Sequence, residues 1–328
     1  MALNKNIKLI INYLAGPLLM IFLFWQVSRE LKQQAGWHES LRQIKAAITG
    51  DQQWELFAMV LLMPVNWGLE AFKWQQIVTP IQPIRFRVAF RSIFAGACVS
   101  AFTPNRVGEY LGRMLYMDEG KKMQAVAPAI VCSMAQTLTT GIVGFAGLLL
   151  FLLVRFPYPV DWLTPYYVRI FLVITGGCTI LLATLYFRFD PLAAQVNKLL
   201  KKYVKSFSIP EYFESRLLLK ILLLSVIRYA VFLLQYFLLF SLFRVNVSAL
   251  QVFMGVSVMF VVMAFVPSFT LLTDLGLRWE AGLRIFKAFT PNATGILAVS
   301  LGIWLVNLII PALVGSLLIL RIKLFRIK

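Results

Sequence analysis

Ala101-Phe102-Thr103-Pro104-Asn105-Arg106-Val107-Gly108-Glu109 runs on through Gly112 and Arg113, placing a proline break and a string of charges directly after an apolar stretch. A second stretch repeats the plan: Ala264-Phe265-Val266-Pro267, then Asp274, Gly276, Arg278, Glu280, Gly282 and Arg284. In each, proline removes a backbone donor and halts the incoming helix, and a short charged helix follows. Broken helices at corresponding points of two halves point to the binding site of a membrane transporter.

The surrounding chain fits that setting. It has 328 residues, is 60% hydrophobic and has a mean hydropathy of +0.78. Runs of about 20 apolar residues recur along it, which excludes an ordinary soluble domain. No alternating pattern supports a β-barrel. The net charge of +18 sits in short loops beside apolar runs, so anionic lipid headgroups, not nucleic acid, are the expected partner. His38 is the only histidine, which removes histidine zinc sites and Ser-His-Asp triads. Cys98, Cys132 and Cys178 lie in apolar runs with no ligand spacing and read as buried core thiols. No phosphate-loop or dinucleotide motif occurs. No metal, cofactor or catalytic residue is expected.

Hydropathy predicts six spans, near 7–27, 54–77, 124–154, 168–187, 217–240 and 293–320, with the broken segments near 88–117 and 249–286. The first run lacks a small-residue cleavage site and is kept as a span. Pro104 and Pro267 are 163 apart, and the same offset carries 54–77 onto 217–240. It also brings 7–27 and 124–154 close to the fourth and last spans. The spacing predicts a duplicated unit of span, span, broken segment and span, residues 1–165 and 166–328, within a single integral membrane domain.

Loop charge decides whether the broken segments cross. If both turn back, 18 Lys and Arg residues fall on the N-terminal side and 9 on the other. If both cross, the counts become 12 and 15, and the densest basic loop is exposed to the wrong side. The positive-inside rule favours turning back, with both termini cytoplasmic. Three full crossings per half then invert the second repeat. The expected fold is an all-α polytopic membrane protein with six full transmembrane helices and two re-entrant broken-helix hairpins in an inverted repeat, both presenting arginines to a shared cavity.

Charged groups left inside the spans and hairpins must pair, line water or bind something. After Thr103-Pro104, the amides near Gly108 and the guanidinium of Arg106 form a candidate phosphate cradle, as do Gly276 and Arg278 after Pro267. Tight helix packing is the competing use of both glycines. Glu109 and Arg113, like Glu280 and Arg284, stand four apart and face each other on a helix. Each pair either neutralises itself or offers an acid that substrate releases. Glu70 and Lys73, three apart, read as a structural pair with Lys73 reaching toward the interface. Arg228, deep in the fifth span, needs a partner, and Glu280, Asp274 and Glu109 are the candidates. The rest of that span reads as lipid-facing. The basic segment 198–205 reads either as a surface helix on anionic lipid or as a topology signal.

At Thr103-Pro104-Asn105-Arg106-Val107-Gly108-Glu109 with Arg113, and at Pro267 followed by Asp274-Leu275-Gly276-Leu277-Arg278, the chain resembles the flippase-like family related to the transmembrane region of lysylphosphatidylglycerol synthase. The resemblance covers nearly the whole chain. In the family the second motif has Glu directly after Gly-x-Arg, whereas Trp279 intervenes here before Glu280. It implies a bacterial inner-membrane protein that handles or translocates phospholipids or polyprenyl-linked lipids. The expected partners are an anionic phospholipid or polyprenyl-linked lipid and a lipid-modifying enzyme. The chain ends at Lys328 with no room for the soluble aminoacyl-transfer domain of full-length synthases, so aminoacyl transfer is not expected of it. The leading expectation is a lipid translocator, ahead of a membrane-embedded transferase using Glu109 or Asp274 as base and a non-catalytic partner of a lipid-modifying enzyme.

Overall fold

Apolar runs without water to satisfy their backbone must bond internally, and helices do this within one segment. The computed structural model describes residues 42, 50, 53–103, 106–154, 164–188, 213–266 and 271–319, and these hold helices and no strand. The expected span at 7–27, the segment 198–205, Pro104 and Pro267 lie outside the described residues.

Four long helices match four of the expected spans. They are α1 (Gln53–Val78), α4 (Val126–Leu153), α5 (Pro165–Phe187) and α6 (Ser215–Leu242). The broken segments give α2 (Phe86–Ser100) with α3 (Gly108–Met114), and α7 (Ala249–Phe265) with α8 (Leu271–Phe286). The last span consists of α9 (Ala293–Trp304), a π turn (Leu305–Ile309) and α10 (Ile310–Ile319). Five of these units are long and apolar enough to cross a membrane, so the chain is a multi-pass membrane protein.

Local signals set the boundaries. Ser248 and Gln251 close a capping box at the start of α7, and Asn292 accepts the amide of Gly295 at the start of α9. Pro165 opens α5, where its missing donor costs nothing. The π turn precedes Pro311, whose ring would clash with the carbonyl of Asn307 in a regular helix; widening the turn relieves the clash. At the end of α6, Val245 N–H reaches Phe240 O and Arg244 N–H reaches Ser241 O, closing a Schellman cap. Arg244 fills its left-handed position, φ 52°, where glycine is usual.

Glycines let the broken segments fold back on themselves. A Cβ at Gly96 of α2 would come within 2.8 Å of the Glu109 carbonyl of α3, and one at Gly112 would strike Gly96. A Cβ at Gly255 of α7 would lie 2.5 Å from the Phe286 ring of α8. Glycine contacts also join the two halves. Gly144 and Gly147 of α4 press on Val261 and Ser257 of α7, and Gly315 of α10 presses on Phe94 of α2.

Burial separates centre from rim. The α9–α10 unit is shielded over most of its length, whereas α5 buries only Val168, Thr175 and Tyr186. Its exposed Val173, Ile180 and Leu181 suit lipid contact. Cys178 is on this exposed helix, unlike the buried Cys98 and Cys132, which corrects the expectation of three buried thiols. α6 corrects another. Leu218, Ile221, Ser225, Tyr229, Tyr236 and Leu239 form a buried stripe at spacings of three, four and seven residues, so this helix is central and not simply lipid-facing.

Candidate functional site

The site grows from the antiparallel pair α1 and α6. Polar contacts join them along their length: Gln76 to Lys220, Lys73 to Ser225, Glu70 and Asn66 to Arg228, the Met59 carbonyl to Gln235, and Glu55 to Ser241. From residue 55 to residue 76 a helix rises about 31 Å, roughly the thickness of a bilayer's hydrocarbon core. A polar seam of that length has a cost in lipid, and its members offset it by bonding one another.

Glu70 is the hub. Its carboxylate meets Lys73 at 2.9 Å, Arg113 at 2.8 Å and Arg228 at 3.1 Å. Arg113, from α3, also pairs with Glu109 one turn back, and Arg106 stands 3.9 Å from Glu109. Arg228 donates through Nε to Asn66 at 2.7 Å and through Nη1 to Gln136 of α4 at 3.2 Å. Its guanidinium lies 5.8 Å from the Trp67 ring and 5.4 Å from the Phe232 ring, and that of Arg113 lies 5.5 Å from Trp74. Aromatic faces favour cations removed from water.

The expected partners of Arg228 were Glu280, Asp274 and Glu109; the acid bonded to it is Glu70 of the neighbouring span. Lys73 does not reach the interface. It is fully buried, held between Glu70 and Ser225. The backbone cradle expected at the first break also changes. Gly108 N–H donates to Thr103 Oγ1 at 2.7 Å, and Arg106 N–H to Thr103 O at 3.3 Å, so Thr103 closes the turn with amides the cradle required. Gly108 serves packing, because a Cβ there would meet Thr103 Oγ1 at 2.6 Å and strike the Val99 carbonyl. Arg106 adopts φ 58° at this turn, a left-handed conformation uncommon outside glycine and often found at functional sites.

The second broken segment builds a separate, smaller cluster. Arg278 pairs with Asp274 at 3.2 Å and donates to Tyr236 of α6 at 2.8 Å. Among the described residues no hydrogen bond or ion pair joins it to Arg106, Glu109 or Glu70. Glu280 and Arg284 pair at 2.6 Å but are more than half exposed and touch neither cluster. A Cβ at Gly276 would meet nothing within 4 Å, so space is open beside that helix.

A chain of amides leads away from the hub. Asn307 of the π turn lies 3.5 Å from Asn66 and donates to Gln235 at 3.0 Å. Asn66, Gln136, Gln235 and Asn307 were not singled out from sequence. An amide side chain inside an apolar run was the signal for each. A scan against family models finds no match to the chain, and a search of curated proteins finds none either.

Proposed function

We propose that this protein is a flippase-like translocator of the bacterial inner membrane, with cytoplasmic termini, that binds the anionic headgroup of a phospholipid or polyprenyl-linked lipid. The reading rests on one observation above others: a cation-rich cluster is packed between apolar helices, against two carboxylates among the described residues. In a low-dielectric setting such a cluster attracts an anion. Tails remain in lipid while the headgroup enters between α1, α3 and α6. The resemblance of the two proline-broken motifs to the lysylphosphatidylglycerol synthase transmembrane region points the same way.

Residues 1–165 and 166–328 are read as inverted repeats, with α2–α3 and α7–α8 as re-entrant hairpins. Their folded-back packing supports this, and so do their lengths. The longest member, α7, has 17 residues and spans about 26 Å, short of the roughly 30 Å hydrocarbon core. The cross-packing of α4 on α7 and of α10 on α2 suits two halves exchanged about an axis. A repeat offset of 163 centres the α1–α6 pair at residues 66 and 229, beside the Asn66–Arg228 bond. Thr103, Pro104, Arg106, Gly108, Glu109, Arg113 and Arg228 belong to the first half-site; Pro267, Asp274, Gly276, Arg278 and Glu280 belong to the second.

A transferase using Glu109 or Asp274 as base has less support, because an arginine one turn on already holds each carboxylate. The test is translocation of headgroup-labelled phosphatidylglycerol in liposomes holding the purified protein. The native chain moves the label faster than protein-free liposomes. Arg106→Ala and Arg278→Ala slow it. Rates unchanged in both variants discard the two half-sites. If native protein moves no lipid but co-purifies with a lipid-modifying enzyme, it is a partner and not a carrier.

A further inference from the structure

We infer that the first half-site takes a dianionic phosphate group, a phosphomonoester or diphosphate, in preference to the single charge of a phosphodiester. The inference rests on the lipid-handling reading and names the substrate class of that same site.

Charge count carries the first part. Lys73, Arg106, Arg113 and Arg228 face Glu70 and Glu109, which leaves two positive charges without a counter-charge among the described residues of the cluster. Lys73, Arg113 and Arg228 against Glu70 and Glu109 leave one of these charges uncompensated inside the protein, which is strongly unfavourable, and half-exposed Arg106 brings the second at the mouth of the site. An occupant of charge −2 neutralises the site, and one of charge −1 does not. A phosphomonoester carries about −1.5 to −2 near neutral pH. A phosphodiester carries one negative charge.

Unused donors carry the second part. Arg113 places both of its carboxylate partners on Nη2, while its buried Nε and Nη1 have no acceptor. The indole N–H groups of Trp67 and Trp74, the two rings beside the guanidiniums, are buried without acceptors too. Buried polar groups are normally bonded, so a cluster of vacant donors asks for an acceptor-rich ligand. A phosphate with three terminal oxygens supplies more acceptors than a diester with two.

Access follows a gradient. Side-chain exposure falls from 43% at Arg106 through 20% at Glu109 and 13% at Arg228 to 1% at Arg113. The guanidinium of Arg106 stands 3.9 Å from Glu109, a long ion pair, so it is placed to meet the anion first and follow it inward.

The test is native mass spectrometry of the full chain in detergent, titrated with dioleoyl phosphatidic acid, dioleoyl phosphatidylglycerol and inorganic phosphate. The two lipids share their tails and differ in headgroup charge. Phosphatidic acid is expected to bind at least about tenfold tighter than phosphatidylglycerol. That preference is expected to fall close to one in Arg113→Gln and about threefold in Arg106→Gln. Arg106 is half exposed, so its variant keeps the test decisive if Arg113→Gln fails to fold. Binding of inorganic phosphate without either lipid keeps the dianion assignment and makes a free anion the ligand, ending the lipid reading. Equal affinity for the two lipids, or a preference untouched in a folded variant, overturns the dianion assignment. Equal and rapid translocation of both lipids overturns it while leaving the carrier intact.

Discussion

Glu70 and Arg228 meet at 3.1 Å where α1 packs against α6, although 158 residues separate them in the chain. The same carboxylate holds Lys73 and Arg113, so three cations share this acid, with Glu109 as a second partner of Arg113. Removing one member of a buried charged group leaves the others uncompensated, which is far costlier than removing the whole group.

Glu70→Gln is therefore expected to destabilise the protein by about 3–5 kcal/mol. Glu280→Gln, in a pair more than half exposed, should cost less than about 1 kcal/mol. Chemical unfolding in mixed micelles, followed by tryptophan fluorescence, compares the two. Equal losses would remove Glu70 from its position as hub.

Two glycines should respond in opposite directions to the same change. Gly112→Ala forces a methyl into Gly96 and should cost about 1–3 kcal/mol through overpacking. Gly68→Ala, in the middle of α1 with nothing within 4 Å, should gain up to about 1 kcal/mol from helix propensity. Thermal midpoints of the purified variants decide this.

Asn307→Leu deletes the donor to Gln235 Oε1 and the acceptor 3.5 Å from Asn66 Nδ2. A buried acceptor without a donor costs about 1–3 kcal/mol. Hydrogen exchange should rise in α6 and in α9–α10 and stay level in α5, which lies at the rim. Uniform protection across these helices would contradict the amide chain.

Arg244 occupies the left-handed position of a Schellman cap at φ 52°. Glycine adopts that conformation without the Cβ penalty, so Arg244→Gly is expected to stabilise by about 0.5–1 kcal/mol, net of its greater chain entropy when unfolded. A lower melting temperature would show that the Arg244 side chain contributes more than its backbone strain costs.

Much of the architecture was legible in the amino-acid order. The four long helices and the α9–α10 unit fall close to the expected spans because hydropathy over about 20 residues is a bulk property of a segment. Helices end at Ser100 and Phe265 and resume at Gly108 and Leu271, the two places where the sequence puts a proline. Glu109–Arg113 and Asp274–Arg278 were legible because residues four apart on a helix share a face. The role of Gly108 was not legible. Whether a glycine admits a ligand or a neighbouring carbonyl depends on what stands opposite, and here that is Val99 and Thr103.

Segment length, apolar content and proline placement are local quantities, and they settled that this chain is helical, crosses a membrane several times and breaks two of its apolar segments. Which acid answers which base is a matter of how helices lie against one another. Arg228 could have met several carboxylates, and only the antiparallel packing of α1 on α6 brought Glu70 to it. At an offset of 163 residues Glu70 and Lys73 fall on Leu233 and Tyr236, so the Glu–Lys pair has no counterpart there, and the cluster is completed by Arg228 from the other half of the chain. Pairing across helices depends on rotation and register, which no single segment encodes.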